Sequence, residues 1–399
     1  MEDKKGKLVD EICEYENFNN GEEKTLTQED INATTKKARR KLLLRFLFIL
    51  ISFAVIVSIF LIEFKDENLQ GLINIIANSK TSYFIIGAVI CLLLVIALQS
   101  VRMALIVKFY VGKFHFKLSY KVSQIGRYYD NLTPSGVGGQ PMQIYYFHKN
   151  GLSGSDSSGI TVVNFLANQF AAIIVAITLF TINNKALQFD GLNSLGYIGL
   201  VFYTVFPILI VIFSLNKNVG AAIFSFVYKV GMKLHIIKAD KKDEKLKHAC
   251  DSVNSYADKL EDMFKHFGTV LLPQMLLTIL EVLVYALIPY FIIVGLGGNT
   301  VDYTILDYLT IYIFVHFSSS IMPTPGMTGG AELLFLTAFA VVLKESPLFW
   351  AMVMWRFLTF YFYLIQGFVI TLIDSINKSR EMKRLISQKA TNSLDENVK

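Results

Sequence analysis

A succession of long apolar runs constrains this chain more than any other feature: Leu42–Ile62, Tyr83–Tyr110, Ile160–Ile182, Tyr197–Leu215, Val270–Leu296, Ile305–Ile321, the shorter Leu333–Leu343, and Leu348–Ile373. About 20 apolar residues cross the hydrocarbon of a bilayer. Hydrocarbon offers the backbone no hydrogen-bond partner, so runs of this length fold as helices. The composition agrees, with 53% hydrophobic and 18% charged residues. The class that follows is an all-α polytopic membrane protein of about eight crossing elements.

Two segments break this pattern with the same punctuation. Asn131–Gln143 reads NLTPSGVGGQPMQ and Thr324–Glu332 reads TPGMTGGAE, so Thr133, Pro134, Gly138 and Gly139 correspond to Thr324, Pro325, Gly329 and Gly330. Gly136, Gln140 and Pro141 extend the first copy, and Pro323 and Gly326 extend the second. Proline removes a backbone donor and glycine leaves helical geometry readily, so each copy interrupts a helix. Broken backbone at membrane depth persists only where protein or a watery cavity satisfies it, and paired interruptions in two halves of a chain point to a transport path. One or two re-entrant segments and an internal repeat are therefore expected, with these residues lining a lipid-binding or translocation site. Counting every run as a crossing puts both motifs near the cytoplasmic side, whereas an inverted repeat puts them on opposite sides.

Charge sets the expected orientation. Residues 1–40 form a polar tail with too few large apolar residues to fold alone. Lys36–Lys41 precedes the first run and places the amino terminus in the cytoplasm. Lys108, Lys113, Lys117, Lys121 and Arg127 mark the inner side after the second run, and the basic tail 378–399 returns there. Gly151–Gly159 is a turn rich in helix-capping residues, and Tyr145, Tyr146 and Phe147 are expected at the membrane interface. Between the halves, Lys238–Lys265 spaces Leu246, Val253, Tyr256, Leu260 and Phe264 as an amphipathic cytoplasmic helix. The membrane domain thus covers 41–377 of a cell-membrane protein with both termini inside.

An ionisable group within a bilayer is costly enough to count as a functional candidate. Arg102, Glu281, Glu332 and Arg356 all lie in or beside apolar runs. The arginines suit a lipid phosphate, which a guanidinium holds by paired hydrogen bonds; the alternative is that they pair with Glu281 or Glu332 as structural ion pairs. Asn164 and Asn168 share one helical face, with Gln169 beside them, and suit either a hydrophilic path or interhelical hydrogen bonds.

The two broken motifs, Trp355-Arg356 in the last run and the apolar context together resemble the flippase-like transmembrane domain of the lysylphosphatidylglycerol synthase family. Met327 and Thr328 stand where that family often has glycine and an aliphatic residue. The resemblance implies membrane helices with re-entrant pieces around a lipid-accessible cavity that moves charged or glycosylated lipids, such as aminoacylated phosphatidylglycerol or a polyprenyl-linked sugar, between leaflets. It also implies an alternative, phosphatidylglycerol lysyltransferase or a membrane subunit of such a synthase, tied to resistance to cationic antimicrobial peptides. The expected partners are a phospholipid or isoprenoid-linked lipid, a separate synthase and a second copy of the chain.

The net charge of +6 sits beside the apolar runs, where anionic headgroups rather than nucleic acid account for it. Cys13, Cys91 and Cys250 are too scattered for a metal site, and no GxSxG, HExxH or GxxxxGK[ST] pattern occurs. No catalytic residue, metal or cofactor is therefore assigned. His316, within an apolar run, reads as a buried histidine rather than a base.

Overall fold

The computed structural model describes residues 79–134, 136, 138–183, 187, 193–215, 267–343, 345–374 and 376–377. The amino-terminal tail 1–40, the run 42–62, the amphipathic segment 238–265 and the tail 378–399 lie outside the described residues. Among the described residues, α-helices follow in chain order: α1 (Ser79–Val111), α2 (Phe116–Leu132), α3 (Gly139–Lys149), α4 (Gly154–Ile182), α5 (Asn193–Leu215), α6 (Leu272–Gly295), α7 (Ile305–Ser319), α8 (Gly330–Phe339) and α9 (Glu345–Arg356). A π turn over Phe357–Tyr361 carries α9 onward to Asp374. Thr81–Val111, Gly154–Ile182, Thr269–Gly295 and Pro347–Asp374 are long and apolar enough to cross a membrane.

Local chemistry explains where several helices start. Ser153 Oγ accepts the Asp156 N–H at 3.0 Å, so the serine-rich turn caps α4. Pro273 falls in the first turn of α6, where its missing N–H costs nothing. Asp307 accepts the Thr304 N–H at 2.6 Å and opens α7. On α1, Tyr83, Ile86, Ile90, Leu93 and Leu94 are exposed along one face, the surface a membrane helix turns to lipid.

The printed contacts define two ends of the bundle. Thr81 Oγ1 donates to the Gly295 carbonyl at 2.9 Å, and Gln274 Nε2 donates to the Arg102 carbonyl at 3.2 Å, so α1 and α6 run antiparallel. Gly159 near the start of α4 lies against Tyr110 near the end of α1. Asp374 pairs with Lys121 on α2 and Lys149 at the end of α3. These residues mark a lower end. Asn183, just past α4, donates to Asp307 at the start of α7 at 2.8 Å, and the Asn299 N–H donates to the Val342 carbonyl at 2.8 Å, marking an upper end.

From this the hairpins can be placed. Helices α2 and α3 enter from the lower end and return to it, with Thr133–Gly138 at the tip. Helices α7 and α8 enter from the upper end and return to it, with Ser320–Gly329 at the tip. The tips meet in an antiparallel β-bridge between Pro134 and Pro325. Gly326 lies against Phe360, close to the midpoint of Pro347–Asp374, so the tips meet well inside the bundle. The two motifs thus approach from opposite ends, as an inverted arrangement requires, and the crossing count that put both on one side does not hold. The count erred because it treated Ile305–Ile321 as a crossing. At 1.5 Å per residue, a 15-residue α7 spans about 22 Å, short of the roughly 30 Å hydrocarbon thickness.

Tyr145 is exposed, whereas Tyr146 and Phe147 are buried in a core cluster with Tyr128 and Leu364.

Candidate functional site

Behind the first hairpin lies a small polar cavity, open on one side. Four helices line it: Gln99 and Arg102 from α1, Ser123, Arg127 and Asp130 from α2, Gln140 and Gln143 from α3, and Asn164, Phe165 and Asn168 from α4. Each helix contributes residues three or four apart, the spacing that keeps side chains on one face. Nine of its ten lining residues are polar, so this space suits water or polar headgroup atoms rather than acyl chains.

Glu281 of α6 organises the charges at the back of the cavity. One oxygen lies 3.2 Å from Arg102 Nη2; the other accepts from Gln99 Nε2 at 2.9 Å and from Arg127 Nη2 at 3.3 Å. Arg102 Nη1 also donates to Thr278 Oγ1 at 2.5 Å. Two guanidiniums therefore share one carboxylate. They differ in exposure: the Arg102 side chain is 4% exposed and that of Arg127 is 39% exposed. Asp130, one turn beyond Arg127, accepts the Gly139 N–H at 2.8 Å and thereby caps α3.

The first motif is built around these groups. Thr133 Oγ1 donates to the Tyr129 carbonyl at 2.8 Å and accepts the Gly138 N–H at 2.9 Å. A Cβ on Gly139 would sit 2.4 Å from Asp130 Oδ1, so only glycine lets the carboxylate reach the helix start. Gly136 takes φ +65°, Pro134 is exposed at the tip, and Pro141 lies in the first turn of α3. Gln140 reaches the cavity.

The second motif carries its own ion pair. Glu332 accepts the Gly329 N–H at 2.7 Å and pairs with Arg356 Nε. Arg356 Nη1 donates to the Gly326 carbonyl at 3.1 Å, and its guanidinium lies 5.1 Å from the Trp355 ring centroid and 5.3 Å from that of Phe360. Gly326 and Gly329 take φ +58° and +87°, and Met327 takes φ +59°, a left-handed conformation that glycine adopts more readily. Pro323 is exposed, and Gly330 packs on Met322. The ion pairs of the alternative reading are present, Arg102 with Glu281 and Arg356 with Glu332, so neither arginine is an unpaired cation awaiting a phosphate.

A family model for the lysylphosphatidylglycerol synthase transmembrane region matches residues 46–367. The chain belongs to that family. No curated protein matches it significantly. For this family member, the matched range takes in every described helix that lines the cavity and both motifs.

The structure gathers Arg102, Gln140, Asn164 and Asn168 into one cavity and sets Glu281 directly behind it. Glu332 and Arg356 form a separate cluster under the second tip. Gln169 is buried and is not among the lining residues. His316 packs among Tyr203, Tyr312 and Phe317. Sequence reasoning missed Arg127 and Asp130, because Arg127 served there only as a topological marker. The signal was present: Ser123, Arg127 and Asp130 recur at four and three residues, a polar stripe on one helical face.

Proposed function

We propose that this chain is a lipid flippase-like membrane protein, and that the polar cavity receives the phosphate-bearing headgroup of a lipid as it passes between leaflets. Charged and glycosylated lipids both carry such a group. The reading rests on Arg127, whose side chain is left 39% exposed beside a cavity walled by helices of an apolar bundle. A purely structural arginine at that depth is expected to be sealed from solvent, as Arg102 is. The amide side chains of Gln99, Gln140, Gln143, Asn164 and Asn168 supply neutral hydrogen-bonding groups around it. The inverted hairpins suit the same role, because broken backbone at mid-depth is tolerated beside a hydrated path.

The test is headgroup translocation in liposomes holding the purified protein, with fluorescent phosphatidylglycerol, aminoacylated phosphatidylglycerol and a polyprenyl-phosphate sugar offered separately. The expected result is movement of at least one lipid, lost in Arg127→Gln protein that elutes and melts like the wild type. Absence of movement for all three, with the wild type indistinguishable from empty liposomes, refutes the proposal.

A further inference from the structure

We infer that Asp130 is a tethered anion that occupies the cavity's anion position in the free protein, so that an arriving lipid phosphate must displace it. The inference rests on the headgroup reading above. Three observations meet at this residue. Its Oδ1 accepts the Gly139 N–H at 2.8 Å, the first backbone donor of the 11-residue helix α3, where the helix dipole favours negative charge. It stands one turn from Arg127 on the cavity-lining face of α2, within electrostatic reach of that guanidinium. Among the cavity's lining residues, three buried side-chain atoms have no hydrogen-bond partner: the donor Arg102 Nε and the acceptors Gln99 Oε1 and Asn164 Oδ1.

A helix start beside a guanidinium is a usual setting for a bound phosphate, yet the group seated at the helix start is the protein's own carboxylate. Its position is enforced locally. The 2.4 Å distance from Asp130 Oδ1 to a Cβ built on Gly139 means any larger residue would push the carboxylate out. A side chain tied to the α2 backbone can swing away but cannot leave, so it opposes every anion that enters. A carboxylate in this place gives release as well as capture: the phosphate binds by displacing Asp130, and Asp130 returns as the phosphate goes. Selectivity follows too, since a weakly held anion does not displace the carboxylate.

The experiment measures binding of dihexanoyl phosphatidylglycerol to the detergent-solubilised full chain by calorimetry, for the wild type, Asp130→Asn, Asp130→Ser and Arg127→Gln. Asparagine and serine keep an acceptor for the Gly139 N–H while removing the charge. Both are expected to bind the lipid about tenfold more tightly, the scale set by one like charge several ångströms away at intermediate dielectric. Arg127→Gln is expected to bind more weakly. Hydrogen exchange over Gly139–Lys149 checks that α3 stays formed in whichever variant is used. If Arg127→Gln weakens binding but neither Asp130 variant tightens it, the tethered-anion inference is wrong and the headgroup reading survives. If Arg127→Gln binds like the wild type, the cavity is not a phosphate site and both fail. If the Asp130 variants instead lose affinity for dihexanoyl phosphatidylethanolamine, Asp130 is a contact for a cationic amine, which also overturns the inference.

Discussion

The shared carboxylate of Glu281 makes the two arginines unequal in a way that mutation can measure. Replacing Glu281 with leucine leaves Arg102, 4% exposed, with only the Thr278 hydroxyl, and strands Arg127 as well. Breaking a buried pair from one side costs about 3–5 kcal/mol, because the remaining charge stays desolvated. Replacing Arg102 with methionine is milder. Glu281 then keeps Arg127 at 3.3 Å and Gln99 at 2.9 Å, so the loss is about 1.5–3 kcal/mol, the scale of one hydrogen bond to a charged group. Removing both partners replaces a buried pair by apolar groups of similar size, which is often close to neutral. Arg127 still lacks its carboxylate in the double variant, though its partly exposed side chain can hydrate, so recovery is partial and the double variant is expected to be about 2 kcal/mol more stable than Glu281→Leu alone. Equilibrium unfolding in mixed micelles, followed by tryptophan fluorescence, reads all three values. Equal costs for the two single variants, adding without interaction in the double, would refute a carboxylate shared between two cations.

Three further outcomes follow from the same geometry. Gly329→Ala meets open space and pays only for its φ of +87°, about 1 kcal/mol, whereas Gly326→Ala also places a Cβ 2.0 Å from Phe360 and is expected to cost more, with Phe360→Leu recovering part of the loss in the same unfolding assay. Cysteines at 134 and 325 are expected to cross-link under mild oxidation, since directly paired positions across antiparallel backbone lie within disulfide reach, while a 134–342 pair stays reduced on a gel. Asp374→Asn releases Lys121 and Lys149, all three partly exposed, and is expected to raise amide exchange in α3 while lowering global stability by at most about 1 kcal/mol.

What the sequence determined by itself was everything that depends on neighbours in the chain. Long apolar runs dictate membrane helices, Ser153 and Asp156 dictate where α4 begins, and the Pro/Gly clusters dictate where helices break. Glu332, three residues after Gly329, is a capping acceptor by spacing alone. The tertiary structure alone decided which breaks meet and which charges share a space. Pro134 and Pro325 are 191 positions apart, and no local rule says that their hairpins enter from opposite ends. Run length hid this, because α7 with its adjoining tip residues reads as one apolar crossing although the helix itself is too short to span. Arg127 shows the same limit: a cation in a basic stretch after an apolar run reads as a marker of the inner side, and only the packing of α1, α2 and α6 brings it 3.3 Å from Glu281 and leaves it facing a cavity. Local chemistry determines where a helix starts and stops; long-range packing determines what its polar face meets.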